Sequence, residues 1–544
     1  MKRIISVLAV IVLVISCASI ASAAGLPSKY SSVSKGYVTS VKEQGNNGTC
    51  GAFAALSCIE SDIIIKGYAK KSNIDLSEAY MYYFASHTLC TDENSNYYGD
   101  GMDIINDESF SFGLNINSIV SAFKTDSALA FEKDFPYHML DGNKMGKYTE
   151  KQRFSSGCNY RIDDIALFEK TDKSGIKNWV MKHGGVSVFF NANMFDFGDS
   201  ATVAINKMHL VPNHAVAIVG WDDGFRYGNM NGTGAWLCKN SWSEGFGDNG
   251  YFWLPYEDPT IDNVCGYSVT LNNNCTVKES YNGFASYDSG TEKSASVFKA
   301  SQSGLIKSIG LSTAADTDVT VNIYLDNKEG KPDSGKKVST IKKHFNYDGY
   351  HIFKLSVPVA VKKGQKYSVV VTYSNFALLE LSSGGFCNDK EKQSYAYHNG
   401  KWDDLGLNSY YGNAAIDAVI EATHSYGKEY SKAPTCATVG YRMRTCSKCG
   451  KVQRTDTAKL KHSFGEWKVE KSASFNSPGA KVRTCKKCGT DEIVYFDTNG
   501  NTVNLYDYSN DFLSQLPSAI PTFVDSLVST IQYDISQKLL GILS

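Results

Sequence analysis

The chain of 544 residues carries almost no net charge, with 55 Lys+Arg against 56 Asp+Glu. That balance removes the bulk electrostatics expected of a nucleic-acid binder or of a protein drawn to an anionic membrane. Apolar runs of membrane length are also missing. The best candidate, Ile4 to Ile15, is too short for a span. Lys2-Arg3 before it and the small residues Ala21-Ser22-Ala23 after it make residues 1–24 an export signal. Val14-Ile15-Ser16-Cys17 also fits a bacterial lipobox, in which Cys17 would be lipidated and retained as an anchor. The expected location is therefore secreted or cell-surface. Hydrophobic content of 42% is ordinary for globular protein, and the length suits two to four domains.

What the chain does hold is a thiol in a telling context. Gln44 precedes Cys50 in Val41-Lys42-Glu43-Gln44-Gly45-Asn46-Asn47-Gly48-Thr49-Cys50-Gly51. Apolar residues at Phe53, Leu56, Ile59, Ile63 and Ile64 follow at helical spacing up to Gly67, so Cys50 sits where a helix begins. A helix N-terminus and a nearby imidazolium both favour a thiolate. His214 opens the apolar run Ala215 to Trp221, and Asn240 ends another from Ala235; a third strand is expected at Gly250 to Leu254. A thiol, an imidazole and an amide are the parts of a cysteine-nucleophile site.

These segments resemble the catalytic segments of papain-like cysteine peptidases over about residues 26–272. The resemblance implies Cys50 as nucleophile, His214 as general base and acid, and Asn240 as the group that orients the imidazole. Gln44 would donate to the oxyanion. Trp242 would cover the His–Asn hydrogen bond, and Gly113 would pair its backbone with an extended peptide; these two are the substrate-side candidates. Gly113 also suits a plain helix-cap role. Gly184-Gly185-Val186-Ser187-Val188 resembles the strand leading into the histidine half, and Asp134-Phe135-Pro136-Tyr137 the motif closing the first half. The Cys50–His214 interval exceeds the roughly 130–150 residues usual in papain relatives, and longer surface loops account for it. Three departures stand out. Asn47 replaces the family's second cysteine, and Gly51 replaces an aromatic, which is expected to open room beside the thiol. Leu26-Pro27-Ser28-Lys29-Tyr30 resembles a mature start and follows the export signal directly, so an enzyme exported without an N-terminal inhibitory segment is expected.

Beyond residue 272 the pattern changes. Short alternating runs such as Val319 to Leu325 and Tyr367 to Tyr373, punctuated by glycines, predict a β-sandwich over 273–422. It resembles the lectin-like domain attached to some bacterial papain-like peptidases. Residues 423–496 repeat themselves: His424-Ser425-Tyr426-Gly427 leads to Cys446-Ser447-Lys448-Cys449-Gly450, and His462-Ser463-Phe464-Gly465 leads to Cys485-Lys486-Lys487-Cys488-Gly489. His424, Cys436, Cys446 and Cys449 could complete a structural zinc site in the first copy. The second offers His462, Cys485 and Cys488, with Phe475 where a fourth ligand would fall. Cysteines shared across the copies, disulfides and reduced thiols are the alternatives. Residues 497–544 end in an amphipathic helix from Ile520 to Ile535 that suits docking.

The expected fold class is α+β: a papain-like two-subdomain peptidase, with a helical half and a β-barrel-like half, followed by an all-β sandwich and small Cys-pair repeats. The expected function is secreted cysteine endopeptidase, working through a thioester acyl-enzyme on protein or peptide substrates without a cofactor. A cell-wall or glycan ligand is expected for the C-terminal domains. The alternative function is a cell-surface adhesin or glycan-binding protein with a degenerate peptidase domain.

Overall fold

The helix that starts at Cys50 runs to Ile65 and is buried nearly all round, from Cys50 to Ile63. Small residues at Gly51, Ala52, Ala54 and Ala55 let neighbours approach it, and the apolar positions face the core on more than one side. Gly67 ends it in the left-handed region, at φ +69°. The computed structural model describes residues 25–504, apart from 93–94, 96, 99–112, 138–147, 154–155, 194–201, 229–231, 273–274, 284–285, 382–389, 408–410, 449 and 475–476. The expected export signal with Cys17, the expected C-terminal amphipathic helix, Cys449 and Phe475 lie outside the described residues. No helix among the described residues is long and apolar enough to cross a membrane.

The helix packs against a sheet built from β1 (Lys29–Ser31), β2 (Tyr160–Phe168), β3 (Val186–Phe190), β4 (His214–Asp222), β5 (Ala235–Lys239), β6 (Tyr251–Pro255) and β7 (Asp262–Leu271). Their order is β6-β5-β4-β3-β7-β2, with β1 paired to β4. The three strands expected from the apolar runs are β4, β5 and β6, displaced by a residue or so at their ends. The expected strand after Gly185 is β3, antiparallel to β4. Gly220 is required where β1 crosses: any Cβ there would run into Tyr30 and Ser31. Helices Glu78–Ser86 and Ile116–Lys124 complete the helical half. Cys50 thus projects from a helix start, His214 from a strand start and Asn240 from a strand end.

The sheet does not stop at the expected boundary near residue 272. β2 pairs with the strand Asp348–Val361, setting Leu167 opposite Asp348 and Asp164 opposite His351. The Asp164 carboxylate and His351 Nδ1 close the joint at 2.6 Å. Through this edge the peptidase sheet continues into strands Gly304–Thr313, Ile416–Ala422 and Thr276–Glu279, giving one 11-stranded sheet. A six-stranded sheet, which includes Thr317–Leu325 and Lys366–Tyr373, packs on it over Ile309, Val321, Ile323, Val369 and Ile420. That is the expected sandwich, fused edge to edge with its neighbour.

Residues from His424 form a second unit. It holds two three-stranded meanders, Tyr430–Lys432 with Gly440–Thr445 and Val452–Thr457, then Lys468–Lys471 with Gly479–Thr484 and Asp491–Phe496. Equivalent bridges, Tyr426 to Cys446 and Phe464 to Cys485, close the two copies in the same way.

Candidate active site

Cys50 is 8% exposed. Its sulfur meets the backbone N–H of Ala215, the residue after His214, and those of Gly51 and Cys50 at the open first turn of the helix. His214 is 4% exposed. Its Nε2 lies 2.8 Å from Asn240 Oδ1, and that oxygen also accepts the Ser241 N–H at 2.8 Å. The Ser241 donor fixes which end of the amide faces the ring. An amide oxygen only accepts, so Nε2 carries the hydrogen and Nδ1 keeps the lone pair. Trp242 stacks on the imidazole with centroids 4.4 Å apart, and Phe246 meets Trp242 edge-on at 4.9 Å. The hydrogen bond is therefore shielded from water on that face.

Burial pushes the Cys50 thiol up from its ordinary value. Burial also holds the His214 imidazole down to about 4, partly offset by the bond to Asn240. Each penalty applies to a lone charge. Moving one proton from sulfur to nitrogen creates two opposite charges together, which attract in a dry site.

Gln44 is buried beside this pair. Its Oε1 accepts from Ser241 Oγ at 2.6 Å, and its backbone N–H donates to the Ser241 carbonyl at 2.8 Å. Its Nε2 donates to the Asn47 carbonyl at 2.7 Å. An amide nitrogen has two hydrogens, so one remains for a further acceptor. Asn47 Nδ2 in turn donates to the Gln44 carbonyl at 3.1 Å and to the Tyr137 hydroxyl at 3.0 Å, and that hydroxyl sits 2.8 Å from Thr49 Oγ1. Where the family pattern has a cysteine, this loop is tied by hydrogen bonds through Asn47 and Tyr137.

The expected open space at Gly51 is absent. A Cβ there would lie 3.3 Å from Ile119 Cδ1 and 3.5 Å from Leu114 Cβ. The helix Ile116–Lys124 and its lead-in fill the volume an aromatic would take. Gly113, one residue before Leu114, is exposed, and no Cβ contact would restrict it.

A charged cluster underlies the site and was not read from the sequence. Lys42 Nζ lies 2.7 Å from Glu78 and 3.5 Å from Glu60; Thr39 Oγ1 donates to Glu60 at 2.6 Å. Lys239, next to Asn240, donates to Ser57 at 3.1 Å and Thr39 at 3.2 Å. Burial lowers the Lys239 ammonium to about 8 and raises the Glu78 carboxyl to about 7. The only sequence signal was a lysine between an apolar strand and Asn240. Ser241 and Tyr137 were likewise visible only as neighbours of better motifs.

The metal candidates sort differently from the expected first-copy set. Cys436 gathers with His462, Cys485 and Cys488 of the second copy. His424 and Cys446 of its own copy are not in that group. The reason is the connection between copies: the Leu460 N–H donates to the Thr435 carbonyl at 2.9 Å, laying the linker against the Cys436 loop just before His462.

The helix start and strand ends hold a thiol, an imidazole and an amide in an arrangement suited to cysteine-nucleophile chemistry. Residues 26–272 match the papain family cysteine proteases, and residues 278–420 match the lectin-like domain. Cysteine proteinase 1 of Entamoeba histolytica is 26% identical over 245 residues, covering 43% of this chain and 64% of that protein. Cathepsin S of Bos taurus is 30% identical over 224 residues, covering 40% of this chain and 56% of that protein. The chain thus spans less than two thirds of these relatives' own length. Among solved structures, the clostridial cysteine protease Cwp84 after propeptide cleavage superposes with a TM-score of 0.61 at 23% identity, covering 73% of this chain and 100% of that one. The cysteine protease and lectin-like domains of Cwp84, a surface-layer-associated protein of Clostridium difficile, give 0.60 at 23%, covering 73% and 89%. These two likenesses bear on the fold, which they share across both domains. The match to the papain family cysteine proteases thus covers residues 26–272, less than half of the chain, and the match to the lectin-like domain follows it.

Proposed function

We propose that the protein is a secreted cysteine endopeptidase working through Cys50, His214 and Asn240. The observation that carries this reading is the His214–Asn240 bond beneath Trp242, with the Cys50 sulfur at the N–H of the adjoining Ala215. His214 Nδ1 takes the Cys50 proton, and the thiolate attacks the carbonyl carbon of the scissile bond. The oxyanion accepts the remaining Gln44 Nε2 hydrogen and the Cys50 N–H. The imidazolium then protonates the leaving amine, and water hydrolyses the thioester with His214 again as base. The peptide lies extended, its backbone pairing at Gly113. No step needs a cofactor.

Export is supported by the charged, apolar and small-residue pattern of residues 1–24. The surface-layer association of the clostridial relative agrees with a cell-surface setting. The match at 278–420 supports a second activity, binding of a glycan or wall polymer that places the enzyme on its target. Hydrolysis of a denatured protein substrate by the full chain tests the reading, with Cys50→Ala as control. Activity present in the parent and lost in the variant is expected. Equal activity in both, or none in either, would leave an adhesin with a degenerate peptidase domain.

A further inference from the structure

The unit from His424 lacks the means by which the rest of the chain is held together. Three of its strands, Tyr430–Lys432, Val452–Thr457 and Lys468–Lys471, are exposed along their whole length, and the others are at most half-buried apart from Gly440 and Gly479. Among the described residues of 424–504, the buried side chains are those of Cys436, Cys446 and Cys485. A domain this small without an apolar core needs a staple, either disulfides or a metal.

The sulfur positions decide between the two for one cluster. Cys436 Sγ is 3.7 Å from Cys485 Sγ, and Cys488 Sγ is 3.3 Å from His462 Nδ1. All four ligand atoms lie within 4.8 Å of one another, and none of the three thiols is in a disulfide. A disulfide holds its sulfurs about 2.05 Å apart. Tetrahedral zinc with Zn–S bonds of about 2.3 Å sets ligand atoms roughly 3.8 Å apart. The observed spacing is that of ligands around a common centre.

The backbone aims these groups before any ion is considered. The Leu460–Thr435 bond brings the linker to the Cys436 loop, and the Lys486 N–H donates to the Ser463 carbonyl at 2.9 Å, joining the His462 segment to the Cys485 turn. The N–H groups of Lys487, Cys488 and Ser463 point at the Cys485 sulfur, a setting suited to a thiolate ligand. In the second copy Phe475 stands at the place that corresponds to Cys436, so that copy cannot complete four ligands alone.

We propose that Cys436, His462, Cys485 and Cys488 bind one structural zinc ion that ties the first repeat to the second. The set is Cys3His and has no open position, so the ion holds structure rather than performing chemistry. Binding displaces the thiol protons, which leave to solvent, and no oxidation is involved.

The test uses the full chain purified under reducing conditions, with metal content measured per chain. Cys436→Ser and Cys485→Ser should each lose one equivalent of zinc, and the double variant should lose no more than one. Cys436→His should keep it, since Cys2His2 sets are competent. Cobalt loading answers for any variant that fails to fold: the parent should show tetrahedral absorption with thiolate charge transfer, weakened by one thiolate in Cys436→His. Cys50→Ala should match the parent throughout, which separates this inference from the peptidase reading. Full zinc content in Cys436→Ser, or a native disulfide at Cys436 or Cys485, would overturn it.

Discussion

The peptidase–lectin unit and the repeat unit are both rich in strands, yet they are held by different physics. In the first, continuous sheets bury apolar side chains such as Ile59, Val219, Tyr267, Ile309 and Val369 completely. The hydrophobic effect at about 25 cal/mol per Å² is enough to hold such layers. In the second, the strands are exposed or half-buried, and among the described residues the only fully buried side chains are cysteines. The first unit can therefore hold a buried polar interior at its active site. The second spends its few buried positions on ligand geometry. Cysteine accordingly does two jobs here: one thiol at a helix start suited to nucleophilic attack, and three in turns suited to a metal.

That division can be broken from the active-site side. Cys50→Ala should lower kcat/KM for a peptide by about 10⁴-fold or more while leaving metal content unchanged. Steady-state assays and metal analysis of the same preparation check both halves. Gln44→Ala should cost about 10²–10³ in kcat, the usual worth of one oxyanion donor, with KM little changed. Ser241→Ala should cost less, since Ser241 touches Gln44 rather than substrate.

Acid should separate the units as well. The folded His214 imidazole titrates near 4, against an ordinary 6.5. As pH falls through that window the unfolded chain takes up the proton and the folded chain does not. Stability is therefore lost by about 3 kcal/mol between pH 6.5 and 4, at 1.36 kcal/mol per pKa unit. Activity should disappear as pH falls through about 4, once Nδ1 is protonated. Denaturant melts of the parent and His214→Gln should differ in slope over this range. The smallest effect is expected at Gly51. Gly51→Trp should destabilise the peptidase by about 1–3 kcal/mol through overpacking against Ile119 and Leu114, read as a lower melting temperature.

Much of the site was legible in the sequence because each of its residues sits in a distinctive local run. Gln44 to Cys50, Asn213 to Trp221 and Trp236 to Phe252 carry spacing and turn signals that do not depend on distant contacts. Strand ends near His214 and Asn240 follow from apolar alternation for the same reason. What was not legible depends on partners far along the chain. Nothing local to Asp348–His351 announces pairing with Asp164–Leu167, so the fused sheet was hidden. The filling of Gly51 depends on Ile119, and the role of Asn47 on Tyr137. Local spacing suggested that Cys436 joins His424, Cys446 and Cys449 of its own copy, whereas the fold of the linker hands Cys436 to the next copy.

Peptidase activity turns on Cys50 being the one thiol activated by a neighbouring imidazole. Mass spectrometry of the reduced full chain after brief exposure to an epoxide thiol inhibitor tests this directly, with His214→Ala alongside. A single adduct on Cys50 that fades in His214→Ala is predicted. Labelling spread over other cysteines, or a Cys50 adduct that forms equally fast without His214, would contradict it.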